Sequence, residues 1–330
     1  MKKLIIQIPC YNEELSLPIT LSHLPRNLPG VDIIEWLIID DGSTDKTVDV
    51  ALAHGVDHVV RLPKHQGLAK AFVAGIEASL EADADIIVNT DADNQYCADD
   101  IPRLIEPILA GKADFVIGAR PIDNIESFSP IKKSLQKMGS WVVRLASKTD
   151  IPDAPSGFRA ISRTAAMKLN VFNEYTYTLE TIIQAGQKNM AITWLPIRTN
   201  VDLRPSRLVK GIPFYIRQSM LTIIRIFMTY RPFLFFTVPG VISFAAGFLI
   251  GLRFLYLYFT GHGSGHIQSL ILAAILLGIG IFLSIIGLLA DLISVNRKLL
   301  ENINWRVRKM ELNRNQKNRK HTKTKTTVDY

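Results

Sequence analysis

Two short runs of carboxylates have the residue types and spacing to do chemistry. Asp40-Asp41-Gly42-Ser43-Thr44-Asp45 follows the apolar stretch Trp36-Leu37-Ile38-Ile39, and Asp91-Ala92-Asp93, with Gln95 two residues on, follows Ile86-Ile87-Val88-Asn89-Thr90. Acids gathered at one place repel one another, and a divalent cation relieves that repulsion while giving them a common task. Acids at i and i+2 on a turn can reach one ion, and oxygen donors suit Mg²⁺ or Mn²⁺. Either run alone also reads as turn and cap chemistry, because aspartate favours both. The combination favours a site, since Pro9-Cys10-Tyr11-Asn12-Glu13 ends a third apolar stretch in polar residues.

Such residues converge only if the chain carries them to one edge. Apolar runs over 4–9, 35–40, 58–62, 85–90 and 113–118 read as strands buried on both faces, as in a parallel sheet. Helical patterns over 14–24, 44–53, 67–80 and 99–110 separate them, the third with Leu68, Phe72, Ile76 and Leu80 on one stripe. Ser43 or Thr44 is expected to cap the second helix and Asp99 the fourth. Strand–helix alternation predicts an α/β layered domain over 1–210, with ligands beyond the carboxyl ends of its strands. Trp36, Trp141 and Trp194 read as packing residues. Gly67-Leu68-Ala69-Lys70 starts a helix and could touch phosphate, but one glycine with a lysine is not a P-loop.

The second half changes character. Residues 211–231 mix large apolar side chains with Arg217 and Arg225, as an amphipathic helix at a membrane interface does; a core helix with a solvated face is the plainer alternative. Residues 232–252 and 267–290 carry no charge, and at about 1.5 Å per residue each crosses the roughly 30 Å hydrocarbon core. Two membrane helices are therefore expected, at about 232–258 and 267–290 within 232–296. The turn between them has no Lys or Arg, whereas Arg225, Arg231, Arg297 and Lys298 flank the spans, which places the large domain and both termini in the cytoplasm. His262 and His266 in that turn lack a third ligand and read as a polar loop.

The formal charge of +8 is concentrated in the tail. Residues 297–325 hold eleven Lys/Arg against two Glu, and the rest has 27 basic and 28 acidic residues. No basic stripe with interleaved aromatics marks the folded part, so nucleic acid is not the expected partner. The 297–330 tail has no apolar residue over 313–325 and is expected to be disordered, able to hold anionic lipid head groups. Cys10 and Cys97 form no C-x-x-C pair.

Ile8-Pro9-Cys10-Tyr11-Asn12-Glu13-Glu14, Ile39-Asp40-Asp41-Gly42-Ser43-Thr44-Asp45 and Asp91-Ala92-Asp93-Asn94-Gln95, in that order, resemble the inverting family 2 glycosyltransferases of GT-A fold. Gly118-Ala119-Arg120 and Asp153-Ala154-Pro155-Ser156-Gly157-Phe158-Arg159 resemble their polyprenyl-phosphate, dolichyl-phosphate-mannose-synthase-like branch, and the two spans resemble its bacterial two-span members. The resemblance implies a nucleotide-sugar-binding domain with a mixed, mostly parallel Rossmann-like sheet, a UDP- or GDP-linked sugar donor and a polyprenyl phosphate acceptor in a bacterial plasma membrane. It implies that Pro9, Tyr11, Glu13, Asp40, Asp41 and Asp91 line the nucleotide-sugar, and that Asp91, Asp93 and Gln95 hold the metal. It puts Arg120 near the phosphates and Asp153 near the acceptor or sugar. A homo-oligomer, such as a tetramer, also follows from resemblance alone. Arg204-Pro205-Ser206-Arg207 departs from the Gly-x-Ser-Lys of relatives but keeps a final cation.

A phosphate acceptor is largely dianionic at neutral pH, with a second pKa of about 6. It needs positioning more than deprotonation, and Arg120, Lys132, Lys133, Arg204, Ser206 and Arg207 could hold it. Asp153 could serve as a base for a residual proton or orient one of these cations. No Arg-Trp pair occurs, which separates the chain from polysaccharide-polymerising relatives. The rival expectations are transfer onto a lipid hydroxyl such as a diacylglycerol, and a membrane-anchored scaffold without activity.

Overall fold

The computed structural model describes residues 1–121, 130–171, 177–200, 212–261 and 266–325. The chain divides into two compact units, Met1–Ser219 with Asn302–Tyr330, and Met220–Glu301.

The first unit is built on seven strands: β1 (Lys3–Cys10), β2 (Ile33–Asp40), β3 (His58–Arg61), β4 (Ile86–Asn89), β5 (Phe115–Ala119), β6 (Arg159–Ser162) and β7 (Ile192–Pro196). They lie in the order β3-β2-β1-β4-β6-β5-β7. β1 is parallel to β2 and β4, β2 to β3, and β5 to β7, whereas β6 runs antiparallel to both neighbours. Leu4, Ile5, Ile6 and Ile8 on β1 are fully buried, because a central strand is covered on both faces. Around the sheet lie α1 (Leu17–His23), α2 (Thr47–Ala53), α3 (Leu68–Glu81), α4 (Ile101–Leu109), α5 (Pro130–Ser147), α6 (Arg163–Lys168) and α7 (Thr178–Gln187).

The register sets up the site. Cys10 pairs with Asp40, so β1 and β2 end together, and Gln7 with Asn89, so β4 ends at the same edge three residues short of them. The parallel alternation places Asp41 and Asp91 at that edge. The reversed β6 then starts there: Asn89 pairs with Arg159, and the 153–158 segment before it arrives beside Asp91.

Local details differ from sequence expectations. α2 begins at Thr47 with Lys46 at its cap position and no side-chain cap, not Ser43 or Thr44. The Asp45 carboxylate does that work by accepting the Thr47 N–H at 3.0 Å. Asp99 lies in a 3₁₀ turn, Ala98–Asp100, and α4 starts without a side-chain cap. Asp100 is instead committed to Arg198, whose N–H donates to Oδ2 at 2.7 Å and whose Nη2 donates to Oδ1 at 3.0 Å. Trp36 is buried as expected, under the Arg26 guanidinium, but Trp141 and Trp194 are exposed on the surface of the unit.

The remaining helices are α8 (Ile212–Tyr230), α9 (Pro232–Phe259) and α10 (Ile267–Lys325). α9 and the first part of α10 are long and apolar enough to cross a membrane, and most of their apolar surface is exposed. They pack through small residues. A Cβ on Gly240 would lie 3.0 Å from the Gly280 carbonyl oxygen, and one on Gly280 would lie 2.8 Å from that of Gly240. Close backbone approach of this kind suits helices in lipid, where packing rather than hydrophobicity joins them.

Where the lack of apolar residues over 313–325 predicts a disordered tail, α10 instead runs on to Lys325. That stretch has no Gly or Pro, and extending an existing helix needs no new nucleus. The helix is also anchored within the first unit: Asn304 Nδ2 donates to Asn170 Oδ1 at 2.8 Å, and Arg308 Nη2 to Glu77 Oε1 at 2.9 Å.

Candidate active site

At the end of β4 the Asp91 carboxylate lies against the α-carbon of Gly157, where an added Cβ would meet Oδ1 at 3.0 Å and Oδ2 at 3.1 Å. The Gly157 N–H donates to the Tyr96 hydroxyl at 2.9 Å, which leaves the hydroxyl proton for Asp91. Burial and then the neighbouring Asp93 push the Asp91 carboxyl up to about 7, against the opposing pull of Arg120, Tyr96 and Arg159. Asp93 Oδ1 accepts the Gln95 N–H at 3.2 Å.

The β5 end contributes Arg120, and the segment before β6 contributes Asp153. Arg120 Nε donates to Asp153 Oδ2 at 2.8 Å and Nη2 to Oδ1 at 3.1 Å, while the Arg120 backbone N–H reaches Oδ2 at 3.1 Å. Both side chains are buried. Burial alone would lower the Arg120 pKa, but Asp153 outweighs it and the guanidinium is held more firmly charged than usual. Of the two roles open to Asp153, the contacts are those of an acid that orients a cation.

Arg159 is fully buried behind this pair. Nε and Nη2 donate to the Ser156 carbonyl at 2.8 and 2.6 Å, Nη2 also to Ala154 O at 3.0 Å, and Nη1 to Thr178 O at 2.9 Å and Thr181 Oγ1 at 2.6 Å. The fork geometry of a guanidinium stitches the 154–156 turn to the start of α7, which a lysine could not do. Beside it, Asn89 Nδ2 donates to Gly157 O and to the Tyr177 hydroxyl, each at 2.9 Å, and Tyr177 stacks on Phe72.

The residues expected to face the nucleotide lie at the ends of β1 and β2. Asp41 is buried and accepts the Gln66 N–H at 2.7 Å and the Gly67 N–H at 2.8 Å, with His65 Nδ1 2.9 Å from Oδ2. Those two amides at the start of α3 are thus engaged by Asp41, not offered to a phosphate. The Tyr11 ring stacks on His65 at 4.0 Å between centroids. Asp40 Oδ1 accepts the Ser43 N–H at 3.1 Å, and Glu13 accepts the Ser16 hydroxyl. Pro9 lies in β1 opposite Ile39. Buried Cys10 marks the convergence: burial raises its thiol pKa most, followed by the carboxylates of Glu13, Asp40, Asp45 and Asp91.

Asp91, Asp93, Gln95, Arg120 and Asp153 therefore fall in one cluster, with Asp40, Asp41, Glu13 and Tyr11 beside it. Arg204, Ser206 and Arg207 lie outside the described residues, as do the side chains of Lys132 and Lys133 on α5. Among the described residues no three His, Cys, Asp or Glu converge as a metal site. The donors expected there from the sequence are the two carboxylates and the Gln95 amide oxygen. A hard divalent cation fits this all-oxygen set and the charge repulsion that raises Asp91. Sequence reasoning gave no role to Tyr96, Asn89 or Tyr177, and Arg159 entered it only as part of a motif.

Residues 5–170 match the family model Glycosyl transferase family 2. The chain belongs to this family. It is 34% identical over 159 residues to an undecaprenyl-phosphate mannosyltransferase of Micrococcus luteus, covering 46% of this chain and 63% of that protein. To a UDP-N-acetylglucosamine–dolichyl-phosphate N-acetylglucosaminyltransferase of Methanococcus voltae it is 30% identical over 223 residues, covering 60% and 86%. Glucosyl-3-phosphoglycerate synthase of Mycobacterium tuberculosis, crystallised with Mn²⁺, UDP and glucosyl-3-phosphoglycerate, has a similar fold, with TM-score 0.53 at 18% identity over 69% of this chain and 80% of that one. The protein is a glycosyltransferase with a GT-A catalytic domain, followed by two apolar helices of membrane-spanning length.

Proposed function

We propose that this glycosyltransferase moves a sugar, with inversion, from a nucleoside-diphosphate sugar to a polyprenyl phosphate at the cytoplasmic face of the membrane. The observation that carries the reading is the Arg120–Asp153 pair. A hydroxyl acceptor needs a general base, whereas both Asp153 carboxylate oxygens accept hydrogen bonds from Arg120. A phosphate monoester brings its own nucleophilic oxygen and asks for cations instead. The names of the relatives from Micrococcus luteus and Methanococcus voltae point to the same acceptor class.

An acceptor phosphate oxygen forms the new bond to C1 of the sugar from the face opposite the nucleotide. The C1–O bond to the β-phosphate breaks, and the nucleoside diphosphate leaves with the bonding electrons. Arg120, fixed by Asp153, holds phosphate oxygens in line; Arg204, Ser206, Arg207, Lys132 and Lys133 complete the anion's cradle. Tyr11, Pro9, Glu13, Asp40 and Asp41 shape the nucleotide side. A divalent cation held by Asp91, Asp93 and Gln95 would offset the negative charge developing on the leaving diphosphate.

α8 lies in the membrane interface, and α9 with the first part of α10 spans the bilayer, the positive flanks keeping the catalytic domain in the cytoplasm. The test is to supply purified full-length protein with Mg²⁺ or Mn²⁺ and radiolabelled UDP- and GDP-sugars, with polyprenyl phosphate or diacylglycerol as acceptor. Label should enter an organic-extractable, mild-acid-labile glycolipid only with polyprenyl phosphate. Labelled diacylglycerol, or no labelled lipid with any donor, would overturn the reading.

A further inference from the structure

After β7 the chain runs beside the loop that carries the acids. The Ile197 N–H donates to Ala119 O at 3.0 Å, the Cys97 N–H to Arg198 O at 3.3 Å, and Tyr96 and Thr199 form an antiparallel bridge. Asn200, half-buried, completes the contact. Its Nδ2 donates to Asn94 O at 2.9 Å and to Tyr96 O at 3.4 Å, and its backbone N–H donates to Gln95 O at 2.9 Å. Three successive carbonyls of the loop thus share one partner from the far end of the domain. The chain bends sharply there, with Asn94 at φ 57°, a left-handed conformation that asparagine tolerates better than most residues.

We propose that Asn200 is a positioning residue for the centre at Asp91: it fixes the backbone of 94–96, and with it the places from which Asp93 and Gln95 would reach a shared divalent cation. The inference rests on the metal-assisted transfer proposed above and adds to it a residue that touches neither substrate nor ion. Two carboxylates two residues apart repel each other, and a loose loop would relieve the repulsion by letting them part. The hydrogen bonds of Asn200 oppose that movement. They also hold Tyr96, whose hydroxyl accepts the Gly157 N–H at 2.9 Å and whose ring stacks on Phe158, so the same clamp reaches the glycine beneath Asp91. The neighbouring residue does different work on the same segment: Arg198 ties it to Asp100 at the start of α4, through its N–H at 2.7 Å and Nη2 at 3.0 Å. Structural fastening and positioning therefore fall on adjacent side chains and can be separated by substitution. Groups that orient metal ligands typically contribute about 10–100-fold to metal affinity.

The test measures Mn²⁺ binding to the full-length protein with saturating UDP or GDP, from the loss of the free-ion electron paramagnetic resonance signal. Asn200→Ala removes the bonds to the carbonyls of 94 and 96, and Asn200→Asp keeps the size of the side chain but turns its donor into an acceptor. Each should bind Mn²⁺ at least tenfold more weakly than the wild type, with a melting temperature within a few degrees of it, and turnover should recover as Mn²⁺ is raised. Arg198→Ala should melt lower and keep the wild-type affinity for Mn²⁺. Wild-type affinity in both Asn200 variants, or an equal loss in Arg198→Ala, would overturn the role of Asn200 and leave the metal centre standing. A wild type that takes up no Mn²⁺ with either nucleotide would overturn the centre and this role together.

Discussion

Arg120 grips Asp153 at both carboxylate oxygens, 2.8 Å from Nε and 3.1 Å from Nη2, across 33 residues of chain. The arrangement makes Asp153 a brace for a cation. If it were the base, its removal would cost the general-base contribution of about 10²–10⁴-fold and the pH–rate profile would lose its acidic limb. As a brace, Asp153→Asn keeps the shape and one acceptor oxygen. Steady-state kinetics should show kcat down about tenfold, which is about 1.4 kcal/mol, with the acidic limb unmoved. Asp153→Ala leaves a buried guanidinium without its partner and should cost about 3–5 kcal/mol of stability, read as a lower melting temperature.

Gly157 is the floor under Asp91. An alanine methyl group would press on both carboxylate oxygens and on the Tyr177 hydroxyl, 3.2 Å away. Gly157→Ala should therefore lower activity at least tenfold and weaken Mn²⁺ binding while the melting temperature changes by only a few degrees. A variant with full activity would show that Asp91 does not need this position.

The glycines between α9 and α10 separate packing from helix propensity. At Gly280 a Cβ would lie 2.7 Å from that of Phe244, whereas at Gly278 it would meet nothing within 4 Å. Gly280→Leu should reduce thermal stability in detergent clearly, and Gly278→Leu should be neutral or mildly stabilising. Equal effects at the two positions would contradict the close helix contact.

Asp100 gives a pH signature. Burial raises its pKa, but the Arg198 N–H and guanidinium outweigh that and hold the carboxyl below its ordinary value. A depressed folded pKa adds stability that is complete above the unfolded value, about 3.9, and is lost as pH falls through the folded value. Asp100→Asn should melt lower than the wild type at pH 7, with the gap closing below about pH 4. A gap constant down to the acid limit would show that the Asp100 charge contributes nothing.

What was legible in the sequence was local. Strand ends, turn acids and uncharged 21–24-residue runs declare themselves within a few neighbouring positions, so the β1, β2 and β4 edges and both apolar helices follow from patterning. Which of its two possible roles Asp153 takes was not legible, because its partner depends on β6 running against its neighbours and meeting β5 from the other direction. Arg159 reads as a surface residue by type, and only its five hydrogen bonds, to four acceptors in 154–156 and 178–181, explain its burial. The cap of α2 was misplaced because Asp45 satisfies Thr47 from inside the turn. Trp141 was read as a packing residue from its type, and its exposure is a property of the packed helix rather than of the residue.

The account depends on Asp91 and Asp93 holding a divalent cation beneath the donor diphosphate. Isothermal titration of Mn²⁺ into the full-length protein with saturating UDP or GDP tests this most directly. One ion per chain should bind with the accepted nucleotide present, and Asp91→Asn and Asp93→Asn should each weaken that binding at least tenfold without unfolding the protein. If neither nucleotide brings a cation to the wild type, or if both variants bind it as tightly, the proposed centre is wrong.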